Sequence, residues 1–177
     1  MRVLVTAFFP FNNLKNNYSM EVINYIDGVS KEILDVVYDK CFDYLKNKYD
    51  LNSYDLIIAL GEARMREELT LETQAVNISS CSLKDNSGVL KVNEKINENS
   101  LDFIQTKVDI SKVDDIVIKS NDAGKFVCNN LYFHLLTNYP EKSLFIHVPN
   151  CYDNEENYKK HAETIMTIIK KLLYYNV

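Results

Sequence analysis

Three residues far apart in the chain, Glu72, Cys128 and His147, have types and neighbours suited to acyl transfer. Cys128 follows the run from Ser120 to Val127 and opens an apolar helical pattern through Leu131, Tyr132, Leu135 and Leu136. A thiol at a helix N-terminus faces unpaired N–H groups and the positive end of the helix dipole, which lower its pKa and favour the thiolate. The same N–H groups can hold an oxyanion. Against this, an arbitrary intracellular cysteine is more often a small buried hydrophobe. His147 stands in the apolar run Leu144-Phe145-Ile146-His147-Val148, ahead of Pro149. From a strand end it can serve a neighbouring thiol as base and then as acid, although a lone histidine there is more often a hydrogen-bonded structural residue. Glu72 interrupts the strand-like run from Leu69 to Asn77. A carboxylate buried there needs a partner, because an unpaired buried charge is expensive, and an imidazole N–H on His147 would supply one while fixing the ring's tautomer. The blander reading of Glu72 is a solvent-facing residue on an edge strand. His134 and His161 fall on predicted helices and read as surface or packing residues.

The elements that must position these side chains are legible as alternating short apolar runs and helical patterns. Residues 2–6, 33–38, 55–60, 69–77, 115–119 and 144–148 read as strands. The run at 55–60 is wholly apolar after its first residue and is closed by Gly61, as expected of a central parallel strand. Helices are expected from residue 19 to about 25, at 40–49, at 126–136 and at 155–175, the last with Ile165, Ile168, Ile169 and Leu172 on its buried face. The polar stretch 86–109 predicts a mobile segment with one short helix near 100–105. Strands separated by helices imply βαβ units and a mostly parallel sheet covered on both faces. Sites in such folds lie beyond the carboxyl ends of the strands, which points to segments 7–13, 61–66, 120–128 and 147–151.

Composition narrows the function classes. With 177 residues, 46% apolar and 25% charged, the chain suits one compact domain over 1–177. A net charge of −5 argues against a nucleic-acid or anionic-membrane partner, and no apolar run is long enough to span a bilayer. Cys41, Cys81, Cys128 and Cys151 form no Cys-x-x-Cys pair and have no histidine at ligand spacing, so neither a metal nor another cofactor is expected. Met1 to Val5 runs directly into a strand without signal-peptide architecture, which predicts reduced thiols in the cytoplasm.

Four segments together resemble the pyroglutamyl peptidase I family, also called pyrrolidone carboxyl peptidase. Val3-Leu4-Val5-Thr6-Ala7-Phe8-Phe9-Pro10-Phe11 is similar to the family's opening V-T-G-F-x-P-F-G-G. Leu69 to Ile78 resembles the glutamate segment, Ser120 to Asn129 the cysteine segment, and Phe145-Ile146-His147-Val148-Pro149 the histidine segment. Their co-occurrence in family order, from residue 3 to residue 149, is far more specific than any one of them. The resemblance implies an α/β/α three-layer sandwich with a twisted, mostly parallel sheet. It implies a thiol peptidase that removes an N-terminal pyroglutamyl residue through an acyl-enzyme, with Cys128 as nucleophile, His147 as general base and acid, and Glu72 orienting His147. It further implies a substrate pocket from Phe8, Phe11, Glu62, Leu83, Phe126 and Val127, with peptides bearing N-terminal pyroglutamate as partners and a homo-oligomeric state.

The chain departs from the family at several of these positions. Ala7 replaces a glycine, and Asn12-Asn13 replace a Gly-Gly pair whose left-handed backbone asparagine tolerates. The family's G-x-A-G-G-R becomes Gly61-Glu62-Ala63-Arg64-Met65-Arg66, with Glu62 for the usual glutamine. If Glu62 serves through its backbone alone, its charge matters little. An arginine common near the family's catalytic centre falls on Ser82, for which Arg64 or Lys84 are candidate substitutes. The helix before 115–119 and the region after Pro149 are short for the family, which puts its tetramer in question. These departures leave two other readings open: an amidase of altered specificity on the same scaffold, and a catalytically weak binding protein.

Overall fold

The computed structural model describes residues 1–174. In chain order the elements are β1 (Val3–Phe8), α1 (Tyr18–Ile23), β2 (Ser30–Leu34), α2 (Lys40–Lys48), β3 (Leu56–Glu62), β4 (Thr70–Glu72), β5 (Gln74–Val76), β6 (Phe103–Gln105), β7 (Ile118–Ser120), α3 (Val127–Asn138), β8 (Ser143–Val148) and α4 (Glu155–Tyr174). Six strands form one sheet in the order β2-β1-β3-β8-β4-β7, and β5 pairs with β6 in a separate antiparallel ribbon. Within the larger sheet β4 runs antiparallel to β8, while the other pairings are parallel.

Strand periodicity sorts the core into two faces, since successive side chains point to opposite sides. Val3, Val5 and Ala7 of β1, Leu56, Ile58 and Leu60 of β3, and Leu144, Ile146 and Val148 of β8 pack against α1 and α4. The alternate set, Leu4, Phe8, Ile57, Ala59 and Phe145, packs against α2 and α3 through Leu45, Leu131, Leu135 and Leu136. Helices therefore cover both faces, the α/β/α arrangement expected. The apolar stripe of α4 is the predicted one, with Ile165, Ile168, Ile169 and Leu172 buried. The expected last residue of that helix, Tyr175, lies outside the described residues. No helix among the described residues is long and apolar enough to cross a membrane.

Several boundaries differ from the sequence reading. The strand expected at 33–38 is Ser30–Leu34 instead; the apolar side chains of Val36 and Tyr38 are buried from a loop, not from a strand. The run 69–77 is two strands in two sheets. Its break is Thr73, whose N–H donates to the Ser120 carbonyl at 2.7 Å while its own carbonyl accepts from Thr106 at 3.0 Å. The strand expected at 115–119 starts later, at Ile118, because Val113 and Val117 are drawn into the core beneath α4.

The segment 86–109 was expected to be mobile and partly helical. It is anchored, and residues 103–105 are strand β6. The apolar residues of the expected helix, Leu101 and Phe103, are 74% and 49% exposed and form no buried stripe. Buried Asn77 is one anchor, beside the backbone pairing of Ser79 with Glu94. Its Oδ1 accepts from the N–H groups of Ile96 (3.1 Å) and Asn97 (2.9 Å), and its Nδ2 donates to the Asn97 carbonyl at 2.7 Å. Asn77→Ala is expected to cost roughly 2–4 kcal/mol, because the loop's backbone groups lose their buried partners. Urea unfolding measures that cost, and limited proteolysis should then cut between residues 86 and 102.

Candidate active site

Parity and register bring the site together. Phe145 faces α3, so His147, two residues on, faces α3 as well. Leu69 and Leu71 are buried on the α4 side, which sends Thr70 and Glu72 to the α3 side. In the antiparallel pairing Thr70 lies opposite His147 and Glu72 opposite Phe145. In the parallel pairing on the other flank of β8, Gly61 lies opposite His147. A one-residue slip of β4 would send Glu72 into the apolar core under α4.

Glu72 is completely buried, which removes the edge-strand reading. Its Oε1 accepts a hydrogen bond from His147 Nδ1 at 2.7 Å. An ionised carboxylate can only accept, so Nδ1 carries a proton, and in the neutral imidazole that tautomer leaves the lone pair on Nε2. The Glu72 backbone carbonyl accepts from Tyr132 Oη at 2.9 Å, which ties β4 to α3. The α3 helix is placed on β5 by Asn129, beside Cys128: its Oδ1 accepts from the Val76 N–H, and its Nδ2 donates to the carbonyls of Val76 and Ile78.

Cys128 occupies the first turn of α3, as the apolar pattern predicted. The N-cap residue Phe126 is extended and offers no side-chain cap, so the first N–H groups of the helix stay available to an anion. The expected low thiol pKa does not follow. Burial pushes the Cys128 thiol up to about 12, and the negative groups around it, Glu72 and Glu62 among them, add to the rise. Desolvation between helix and sheet thus works against the helix dipole. Cys128 Sγ and the Phe145 ring both close on Gly61, where an added Cβ would stand 2.8 Å from the sulfur and 2.7 Å from the ring.

Cys128 and His147 open on one cavity of about 140 Å³, lined also by Phe8, Phe11, Glu62, Phe126 and Val127. Asn17, Val36, Ala123, Gly124 and Lys125 complete its wall. An apolar cavity of about 150 Å³ is enough for one benzene-sized ring. Phe11 and Phe126 pack with centroids 5.7 Å apart, and Tyr38 meets Phe126 edge-on at 5.5 Å. Leu83, expected in this pocket, lies instead with Ser82 and Lys84 on a second groove outside it, across Phe11.

Glu62 is engaged through its side chain. Its side chain is 2% exposed. Oε2 accepts from the Tyr18 N–H at 2.7 Å, and Oε1 takes Arg64 Nε at 2.8 Å. Arg64 also covers the Tyr18 ring at 4.2 Å and donates to Asn16 Oδ1 at 2.9 Å. Arg64 is thereby committed to Glu62. Arg66 went unnoticed as a site residue: its Nη1 donates to Glu72 Oε1 at 2.5 Å and its Nη2 to the Asp122 carbonyl at 2.8 Å. Its place at the end of the 61–66 segment was the available signal.

Comparison with known proteins places the chain in a family. The pyroglutamyl peptidase family model matches residues 1–170. The chain belongs to that family. It is 34% identical over 167 residues to the pyrrolidone-carboxylate peptidase of Finegoldia magna, covering 84% of this chain and 78% of that one. It is also 34% identical, over 193 residues, to the pyrrolidone-carboxylate peptidase of Brachyspira hyodysenteriae, covering 97% and 95%. The crystal structure of a pyrrolidone carboxyl peptidase from Fervidobacterium islandicum AW-1 superposes with a TM-score of 0.86 at 26% identity, over 97% of this chain and 98% of that one. Two departures from the family motifs find a structural account. Asn12 and Asn13, at the usual glycine pair, adopt φ of 51° and 58°, the left-handed turn that asparagine tolerates. Glu62 is accompanied by Arg64, which supplies the countercharge that the uncharged glutamine does without.

Two outcomes follow. Gly61→Ala should cost roughly 1–3 kcal/mol by overpacking against Phe145 and Cys128, read as a shift in the urea midpoint. Alkylation of Cys128 by iodoacetamide should climb about tenfold per pH unit from 7 to 10 with no plateau near neutrality, followed by peptide mass spectrometry.

Proposed function

We propose that the chain is a cysteine peptidase that hydrolyses the amide bond after an N-terminal pyroglutamyl residue, with Cys128, His147 and Glu72 as its catalytic residues. Membership of the pyroglutamyl peptidase family supports the reaction class. The observation that carries the assignment of roles is the His147–Glu72 hydrogen bond, which leaves Nε2 free on the cavity that Cys128 also lines.

The pyroglutamyl ring is flat, small and uncharged, and the slot between Phe8, Phe11, Phe126 and Val127 is apolar and ring-sized. Because burial holds the thiol protonated, Nε2 takes the Sγ proton as the sulfur attacks the carbonyl carbon. Negative charge then grows on the carbonyl oxygen, opposite the uncapped N–H groups of the first turn of α3. Glu72 stabilises the imidazolium and holds its orientation. When the C–N bond breaks, the imidazolium protonates the departing amine. Water, deprotonated by the same nitrogen, releases pyroglutamate and restores the thiol. The substrates are peptides with an N-terminal pyroglutamate, and we place the protein as one domain over 1–177 working in the cytoplasm.

Release of a chromophore from pyroglutamyl arylamide, beside prolyl and alanyl arylamides, tests the reading. The pyroglutamyl compound should be the preferred substrate, Cys128→Ala should abolish turnover, and Glu72→Gln should lower kcat by about 10²–10⁴-fold. Preferred cleavage of another arylamide would identify an amidase of different specificity, and no cleavage of any would leave only binding.

A further inference from the structure

We propose that Arg66 is a positioning residue that couples Glu72 and His147 to the loop delivering Cys128. The proposal rests on the catalytic roles given above. Arg66 lies in the segment after β3, and its guanidinium divides between two elements of the site. One nitrogen meets Glu72 Oε1 at 2.5 Å, the same oxygen that accepts from His147 Nδ1. The other meets the Asp122 carbonyl at 2.8 Å. Asp122 belongs to a tight turn: its N–H donates to Ser120 Oγ, and its Oδ1 accepts from Gly124, whose φ is +75°. Holding the Asp122 carbonyl therefore holds the turn from which the chain rises through Phe126 into the first turn of α3 and Cys128.

The backbone of Arg66 is clamped as well. Its N–H donates to the Ala63 carbonyl at 2.9 Å, and its carbonyl accepts from Asn150 at 3.1 Å, three residues past His147. One residue thus joins the segments that follow β3, β7 and β8 and reaches the carboxylate in β4. Glu72 is completely buried while the Arg66 side chain is 27% exposed, so the guanidinium brings a permanent positive charge from the surface to a carboxylate that water does not reach. The planar fork is what allows one cation to address a carboxylate and a carbonyl together. A lysine ammonium would keep the charge but not that geometry.

The test is kinetic, with wild type, Arg66→Gln, Arg66→Lys and Cys128→Ala assayed together on pyroglutamyl arylamide. Arg66→Gln should lower kcat by about 10–100-fold, the scale of a slight misplacement of reacting groups, with KM within about threefold of wild type. Arg66→Lys should recover only part of kcat, with the wild-type unfolding midpoint. A wild-type kcat in Arg66→Gln, a KM rise that accounts for the whole loss, or full recovery by lysine would each overturn the proposal. Should Arg66→Gln not fold, Arg66→Lys alone decides, and a kcat within twofold of wild type would overturn it. If the wild type itself ignores pyroglutamyl arylamide, the functional reading fails, and the coupling is read from Cys128 alkylation instead. Slower alkylation in the Arg66 variants than in wild type supports it, and equal rates overturn it.

Discussion

A carboxylate with no access to water, Glu72, sits in the penultimate strand of the sheet between β8 and β7, and much of the site can be understood as the means of tolerating it. An ionised carboxylate in such a place is stable only with hydrogen-bond donors and positive charge close by. His147 supplies one donor from the neighbouring strand and Arg66 supplies another with a permanent charge. Both converge on the same oxygen. The antiparallel insertion of β4 beside β8 makes this possible, because it places Glu72 and His147 on the same face two residues apart in register. A carboxylate so held is also rigid, and rigidity is what an orienting group for histidine requires.

The thiol illustrates a competition between two effects that the chain alone leaves undecided. A cysteine in the first turn of a helix benefits from the dipole, but that benefit falls away within a turn. Seating the same sulfur against Gly61, between helix and sheet and near two carboxylates, partly desolvates it and raises its pKa. Burial wins. In the proposed reaction the proton leaves during the attack, and His147, its ring fixed by Glu72, takes it. The absence of a side chain at Gly61 is part of the same arrangement, since any Cβ there would collide with both the sulfur and Phe145.

Substitution of the usual motif residues has been absorbed by local compensation. Glu62 introduces a charge into the pocket wall, and Arg64 neutralises it while packing over Tyr18 and reaching Asn16. Together they fix the segment that runs from Phe11 toward α1, so the wall remains ordered although its chemistry has changed. Neither Arg64 nor the outlying Ser82 and Lys84 bonds to the triad. The guanidinium that does is Arg66, through Glu72.

Much of this protein was legible in the residues themselves. The apolar runs within β3 and β8, the stripe of α4 and the apolar pattern behind Cys128 each encode burial directly, because side-chain spacing is a local property. Glu72, Cys128 and His147 could be singled out by type, and their shared family resemblance named the chemistry. What the chain could not disclose were the long-range pairings. The division of 69–77 at Thr73 depends on hydrogen bonds to Ser120 and Thr106. The order of 86–109 draws on contacts such as those of Asn77, about 20 residues away along the chain, and the backbone pairing of Ser79 with Glu94. The removal of Leu83 from the pocket, the engagement of Glu62 and the reach of Arg66 to Asp122 are likewise contacts across dozens of residues. Local pattern specifies which faces are apolar, whereas hydrogen-bond partners and desolvation are set only when distant segments meet, and those decided the protonation of Cys128 and the surroundings of Glu72.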